Sequence, residues 1–375
     1  MIRLVILIDS LKTGGAQRLI SGFVLRATAF DIDPVVISLS EDASPAIHKT
    51  IQSSGIKLIT VPANSLFSVK RLRWLVEYFR AEKIDVLHTH LLYANILGSI
   101  AAHFAMIPVV CTLHSTHIEK GWRLLLQKRL EDFCLRHFAT RIVAVGNVVA
   151  TAHHGHYAGR TVDVIPNGIP EPDHIPSQAR SRLRNELGLD RHSIVITVGR
   201  FERAKGYGDM IKAFKLLQQK NSDSVLLMVG SGALQDSIQT QIEALDLQQS
   251  VILAGERQDV PQLLASSDIF ASSSHREGLP LSVLEAMMAG LPIVATSVGD
   301  IPNVVTKDTG VIVPPHQPEM LAEALDDLLK NPSKRREMGR AARDRAVREY
   351  SVDVYMKRHV KLYKDVIGSA EFQMQ

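Results

Sequence analysis

The feature that most restricts this chain is an alternation that runs, breaks off and starts again. Short apolar runs at residues 4–8, 35–39, 58–61, 86–88, 109–113 and 142–145 are separated by stretches with helical periodicity. Runs this short and this rich in Val, Ile and Leu predict strands buried on both faces, and strands joined through helices predict a parallel sheet. The pattern stops at Val164-Ile-Pro166-Asn167-Gly168-Ile-Pro170-Glu-Pro172-Asp-His-Ile-Pro176, where four prolines and an Asn-Gly turn exclude a regular element. It resumes at 194–198, 225–229, 251–253, 268–271, 293–295 and 311–313. At 375 residues the chain is too long for one ordinary core. The expectation is an α/β fold of two doubly wound, Rossmann-like domains, residues 1–168 and 169–351, with a last helix at about 352–375 crossing back to the first. Such sheets bind ligands beyond the carboxyl ends of their strands, so two facing units would hold the site in a central cleft.

Two carboxylates bracket a predicted helix start in the second half. In Ser272-Ser-Ser-His275-Arg276-Glu277-Gly278-Leu279-Pro280-Leu281-Ser-Val-Leu-Glu285, Pro280 suits the first helical turn, and Gly290-Leu-Pro292 marks the stop. The amides at 279–282 then lie at the positive end of the helix dipole, where a diphosphate can sit. Glu277 before the helix and Glu285 within it would meet different ends of that ligand, because carboxylates accept hydrogen bonds from sugar and ribose hydroxyls. Taken singly, each glutamate reads as a solvated surface residue. The Gly-Leu-Pro turn between two apolar strands is what favours a ligand.

After the strand at 194–198 comes Gly199-Arg200-Phe-Glu-Arg-Ala-Lys205-Gly206, a fork and a point charge that suit a departing nucleoside diphosphate. The only D-x-D pair, Asp31-Ile-Asp33, precedes a predicted strand and reads as a surface turn, so the expected site uses no metal and no cofactor. Gly14-Gly15 follow the first strand and let backbone approach an anion, though a tight strand-to-helix turn needs the same residues. They lack the G-x-G-x-x-G spacing, which removes support for a nicotinamide or flavin enzyme. His88, His90, His114 and His117 fall at predicted strand ends, and with Asn167 of the linker they are candidates for the cleft. For His114 an orienting or polarising role beside the reacting group stands level with simple packing. The cluster His153-His154-Gly-His156 reads as packed or solvated on a helix, and no nucleophile motif is present.

Charge divides unevenly: residues 1–170 hold 18 Lys/Arg against 12 Asp/Glu, and the remainder 25 against 27. The excess gathers at 68–83 and 119–137, each with a Trp and aliphatics at helical spacing. That pattern fits a helix lying on an anionic membrane, and equally an ordinary amphipathic surface helix. No apolar run approaches the ~18–20 residues that span a bilayer, and residues 2–8 read as a first strand and not as a signal peptide. A cytoplasmic protein, peripheral at the inner face of the plasma membrane, is the expectation. Cys111 and Cys134 form neither a disulfide framework nor a metal motif. Nothing in the chain supports nucleic acid binding.

Taken together, Gly14-Gly15-Ala16, Asp85-Val-Leu-His88-Thr-His90, Thr112-Leu-His114, Val164-Ile-Pro-Asn167-Gly168, Gly199-Arg200-Phe with Lys205-Gly206, Val229-Gly230-Ser-Gly232, Glu277 to Glu285, and Thr309-Gly-Val-Ile-Val-Pro-Pro resemble retaining glycosyltransferase family 4, of the GT-B fold. The likeness runs over nearly the whole chain. It implies transfer of a sugar from a UDP- or GDP-linked donor to a glycan or lipid-linked acceptor in surface polysaccharide synthesis. It also implies that Arg200 and Lys205 hold the donor diphosphate, Glu285 the ribose and Glu277 the donor sugar. His114 would lie close to the transferred sugar, and Gly14 and Gly15 would admit the diphosphate. Gly299-Asp300 departs from the second glycine and glutamate of many relatives, so donor-sugar preference does not carry over. Two other readings compete: a sugar-nucleotide 2-epimerase, which would need no acceptor, and a non-catalytic nucleotide-sugar-binding protein.

Overall fold

The computed structural model describes residues 1–63, 65, 68–115, 122–155, 157, 160, 162–172 and 177–373. His117 and His156 lie outside them, as does the start of the predicted 119–137 segment. The chain forms two compact units, Met1–Pro170 with Val352–Gln375, and Glu171–Ser351.

The first unit is built on seven parallel strands: β1 (Ile2–Ile8), β2 (Ile32–Ser38), β3 (Leu58–Thr60), β4 (Val86–His90), β5 (Val109–Leu113), β6 (Arg141–Ala144) and β7 (Val162–Val164), ordered β3-β2-β1-β4-β5-β6-β7. Winding outward from β1 in both directions reverses the strand order between β1 and β4. Two crevice-forming loops therefore start side by side at the carboxyl ends of those strands. Three differences from the sequence reading stand out. β2 begins at Ile32, ahead of the predicted run at 35–39, so Asp33 lies in the strand and only Asp31 in the turn before it. β7 adds an edge strand just ahead of the proline-rich break, and β4 continues through Thr89 and His90 because both polar side chains find partners inside, Asn95 and His114.

The last helix, Val352–Gln373, belongs to this unit. Tyr355, Met356, Tyr363 and Val366 are buried in the same core as Phe23 and Ile6. Large side chains buried this completely stabilise by roughly 1.5–3 kcal/mol each. Phe23 meets the Tyr355 ring edge-on at 6.2 Å, and Arg26 holds Asp353 through two bonds of 2.9 Å.

The second unit carries six parallel strands, β8 (Ser193–Val198), β9 (Ser224–Val229), β10 (Val251–Gly255), β11 (Ile269–Ser272), β12 (Ile293–Thr296) and β13 (Gly310–Val313), ordered β10-β9-β8-β11-β12-β13. Its switch point lies between β8 and β11, which pair directly through Val195 with Ile269 and Ile196 with Phe270. All six strands correspond to the apolar runs read from sequence.

Candidate functional site

In the second unit the switch-point loops bring together residues far apart in sequence. Lys205 Nζ donates to Glu277 Oε1 at 2.7 Å, and Ser274 Oγ donates to the same oxygen at 2.6 Å. Ser272 and Ser274 hydroxyls lie 3.2 Å apart, Ser273 Oγ donates to the Lys205 carbonyl, and Thr296 Oγ1 donates to the Ser274 carbonyl. The triple serine is thus a scaffold that presents Glu277 to the cation. Its signal was available as a polar run ending an apolar strand, and the sequence reading gave it no role.

Backbone geometry explains why the lysine arrives there. A single turn at Arg203–Lys205 ends on Gly206 at φ +62°. A Cβ on Gly206 would overlap the Ser273 carbonyl, so only glycine lets the two loops close. Gly299, at φ +54°, packs in the same way on the Glu277 and Gly278 carbonyls. Asp300 then donates its amide to Gly278, and its buried carboxylate accepts from Asn303 at 2.8 Å. This departure from the family pattern therefore leads into a short helix, Ile301–Val304, for which Asp300 is the N-cap.

Other predicted residues fall around this pair. Pro280 lies one residue earlier than expected: its ψ of 124° is extended, making it the N-cap of the helix Leu281–Met288 and not part of the first turn. Glu285 stands on that helix, half-buried, with Gly278 and Leu279 leading into it. Arg200 is not drawn to Lys205. Its guanidinium reaches Glu202 at 2.8 Å and remains 58% exposed.

In the first unit, β4 and β5 deliver a histidine cluster. His90 Nδ1 lies 2.9 Å from His114 Nε2, so one of these nitrogens carries a proton and the other accepts it. His88 is held between the Tyr363 hydroxyl at 2.6 Å and the Thr112 hydroxyl at 2.7 Å, and its ring stacks 5.3 Å from His359. Burial pushes His114 down to about 4 and holds His88 and His90 well below the usual imidazole range. His114 is therefore a neutral hydrogen-bonding group at pH 7, with Nε2 engaged by His90. Tyr363 and His359, which support the cluster from the last helix, carried no signal in the sequence beyond their i,i+4 spacing.

Asp9 closes the same end of the sheet by accepting from the Ala94 and Tyr93 amides, at 2.6 and 3.2 Å, in the first turn of the helix Leu92–Ala105. Burial outweighs those bonds and pushes its carboxyl up to about 7. Gly14 is the extended N-cap of the helix Gly15–Arg26, with Gln17 packed against it. Asn167 is buried in the linker.

The two basic segments differ. On the helix Val69–Ala81, Arg71 is buried and donates to the Ala63 and Ser65 carbonyls, and Trp74 stacks on Tyr78 at 5.0 Å. On the helix Trp122–Phe138, Lys128 turns inward to Glu131 and Asp132 at 2.6 and 3.4 Å. Both cations are thereby removed from the surface set that the sequence suggested. The second helix nonetheless exposes Trp122, Leu125, Leu126 and Phe133 together. Among the described residues no helix is long and apolar enough to cross a membrane.

Comparison with known proteins now decides the family. Residues 13–171 match the model of Glycosyltransferase Family 4, and residues 179–345 that of Glycosyl transferases group 1. The chain belongs to these glycosyltransferases. This glycosyltransferase is 33% identical over 241 residues to a UDP-Gal:alpha-D-GlcNAc-diphosphoundecaprenol alpha-1,3-galactosyltransferase of Escherichia coli, a match covering 61% of this chain and 62% of that enzyme. It is 26% identical to a GDP-mannose-dependent monoacylated alpha-(1-6)-phosphatidylinositol monomannoside mannosyltransferase of Corynebacterium glutamicum, over 92% of this chain and 93% of the relative. Anabaena HepE, solved with UDP-glucose, superposes with a TM-score of 0.86 at 21% identity, covering 97% of this chain and all of that one. That likeness shows the GT-B fold.

Proposed function

We propose that this glycosyltransferase is a retaining, metal-independent enzyme that moves a sugar from a UDP- or GDP-linked donor to a lipid-linked glycan or glycolipid acceptor. The second unit is read as donor-binding and the first as acceptor-binding. The observation that carries the reading is the Lys205–Glu277 contact at the carboxyl ends of β8 and β11, next to a helix start. A diphosphate there would take over Lys205 and draw in the exposed Arg200, and both cations would meet negative charge growing on the leaving phosphate. Glu277, released from the lysine, would accept from the donor sugar, and Glu285 from the ribose.

In the transfer, the anomeric carbon loses its bond to the phosphate oxygen and gains one to the acceptor oxygen on the same face. The acceptor proton passes to the leaving phosphate. Neutral His114 would orient the sugar by a hydrogen bond and supply no charge. The named donors of the two relatives differ in base, UDP against GDP, while both names carry a lipid-borne acceptor. The exposed apolar residues of the helix Trp122–Phe138 favour that helix, over Val69–Ala81, as the contact with a membrane surface.

The test is a thermal-shift panel of UDP- and GDP-sugars, followed by transfer to a polyprenyl-diphosphate-linked sugar with and without EDTA. A true donor at ~100 times its Kd stabilises by about 2.7 kcal/mol. Product anomeric configuration by NMR decides retention. Donor conversion without an acceptor, activity lost to EDTA and restored by Mg2+ or Mn2+ but not by Zn2+, or an inverted product would each overturn the corresponding part. Binding to anionic vesicles that Trp122→Ser with Leu126→Ser leaves unchanged would overturn the membrane contact.

A further inference from the structure

Two histidines from separate segments of the second unit approach one carboxylate oxygen of a third segment. Asp209 sits in the first turn of the helix Tyr207–Gln218, His275 in the loop after β11, and His316 in the loop after β13. His275 Nε2 lies 2.8 Å and His316 Nδ1 3.5 Å from the same atom, Asp209 Oδ2. The two imidazole centroids are 3.8 Å apart, and one ligand atom from each of the three residues falls within 4.8 Å of the others. We propose that Asp209, His275 and His316 form a binding site for a divalent transition metal of the Zn2+ class, separate from the donor-binding residues.

Two observations carry the site. Ligands of a tetrahedral ion with bonds of ~2.0–2.1 Å stand about 3.3 Å apart; His275 Nε2 lies at hydrogen-bond distance from Asp209 Oδ2, and a shift of about half an ångström would bring the three ligand atoms to that spacing around one ion. Second, His316 reaches that position with φ at 60°, a left-handed conformation that a non-glycine residue adopts at a cost. Two imidazole nitrogens and a carboxylate suit Zn2+, Co2+ or Ni2+, whereas Mg2+ and Ca2+ favour oxygen ligands. Asp209 and His275 are 20% and 27% exposed and His316 65%, so the group has a half-buried floor and an open side for water or a fourth ligand.

The location gives the ion a consequence. His275 packs against Gly206, next to Lys205, and precedes Glu277 by two residues. An ion shared by the three segments would clasp the loop that carries Glu277 to the helix that follows Lys205. Its binding does not depend on the proposed transfer reaction, and it is read without donor or acceptor.

The experiment uses the full chain without a histidine tag, stripped with EDTA, and titrated with Co2+ for the visible absorption of a tetrahedral nitrogen and oxygen site. Zn2+ competition against a chromophoric chelator then gives stoichiometry and affinity. The expected result is one site per chain, weakened at least about tenfold by His316→Ala and by Asp209→Asn and left unchanged by His48→Ala. Zn2+ should raise the melting temperature of the parent and not of His316→Ala. Since His316 is exposed, that variant should fold, which its metal-free melt verifies. No cobalt band at one equivalent, or equal binding by parent and both site variants, would mean an adventitious ion only and would overturn the site.

Discussion

Replacing His359 with Leu should flatten the acid dependence of stability by a calculable amount. The imidazole is buried among Phe23, Tyr355 and His88; Nδ1 donates to the Tyr355 carbonyl at 3.0 Å, and Nε2 has no hydrogen-bond partner among the described residues. Burial pushes its pKa down to about 4, while in the unfolded chain it titrates near ~6.5. Between those values the unfolded state binds the extra proton, so stability is lost as pH falls. Integrated from pH 7 to 5.5, this one group costs about 1.2 kcal/mol. His359→Leu keeps the side chain apolar and close in volume and removes the proton site. Urea unfolding of both proteins at the two pH values measures the effect. The parent should lose about 1.2 kcal/mol more than the variant on acidification. Subtracting the two cancels common groups, including Asp9, whose raised carboxyl acts in the opposite direction by taking up a proton in the folded state. Equal losses, within about 0.3 kcal/mol, would show that His359 is not held neutral by burial.

Three further outcomes are expected. Lys205→Ala should lower kcat/KM for transfer by about 10²–10³-fold in a protein that still folds but melts at a lower temperature, because the nearly buried Glu277 loses its cation; parental turnover would remove Lys205 from the donor site. Gly206→Ala should destabilise by about 1–3 kcal/mol, since alanine at φ +62° also overlaps the Ser273 carbonyl; a denaturant midpoint equal to the parent's would refute that packing. His90→Leu should reduce kcat about tenfold or more at little change in donor KM, whereas His90→Asn, which keeps a polar atom near Nδ1 for His114, should retain most of it. Equal rates for the two variants would sink the positioning role.

Much of the fold could be read from apolar periodicity because both faces of each sheet are covered by helices, which forces continuous Val, Ile and Leu runs such as 225–229. Polar partnering is what periodicity misses. Thr89 and His90 read as the end of a strand, yet they extend it because Asn95 and His114 await them. Arg71 and Lys128 counted as surface cations until carbonyls and Glu131 were found facing them. The Glu277 and Lys205 motifs were legible one at a time, while their 2.7 Å contact depends on a glycine conformation and on two loops 72 residues apart. Asp209, His275 and His316 left no spacing to recognise, because a helix start and two loops far apart in sequence supply them.

If Lys205 and Glu277 hold the donor as proposed, their ion pair makes donor recognition an exchange. The cation proposed for phosphate and the carboxylate proposed for sugar occupy each other, with side chains only 21% and 10% exposed. A free hexose offers the lysine no replacement charge, so it must compete against an intact, partly desolvated contact. A nucleoside diphosphate would bring that replacement and thereby free the glutamate. On the proposed reading, the protein would recognise the sugar half of its donor only after accepting the phosphate half, and free sugars in the cell would be ignored even where their hydroxyls fit.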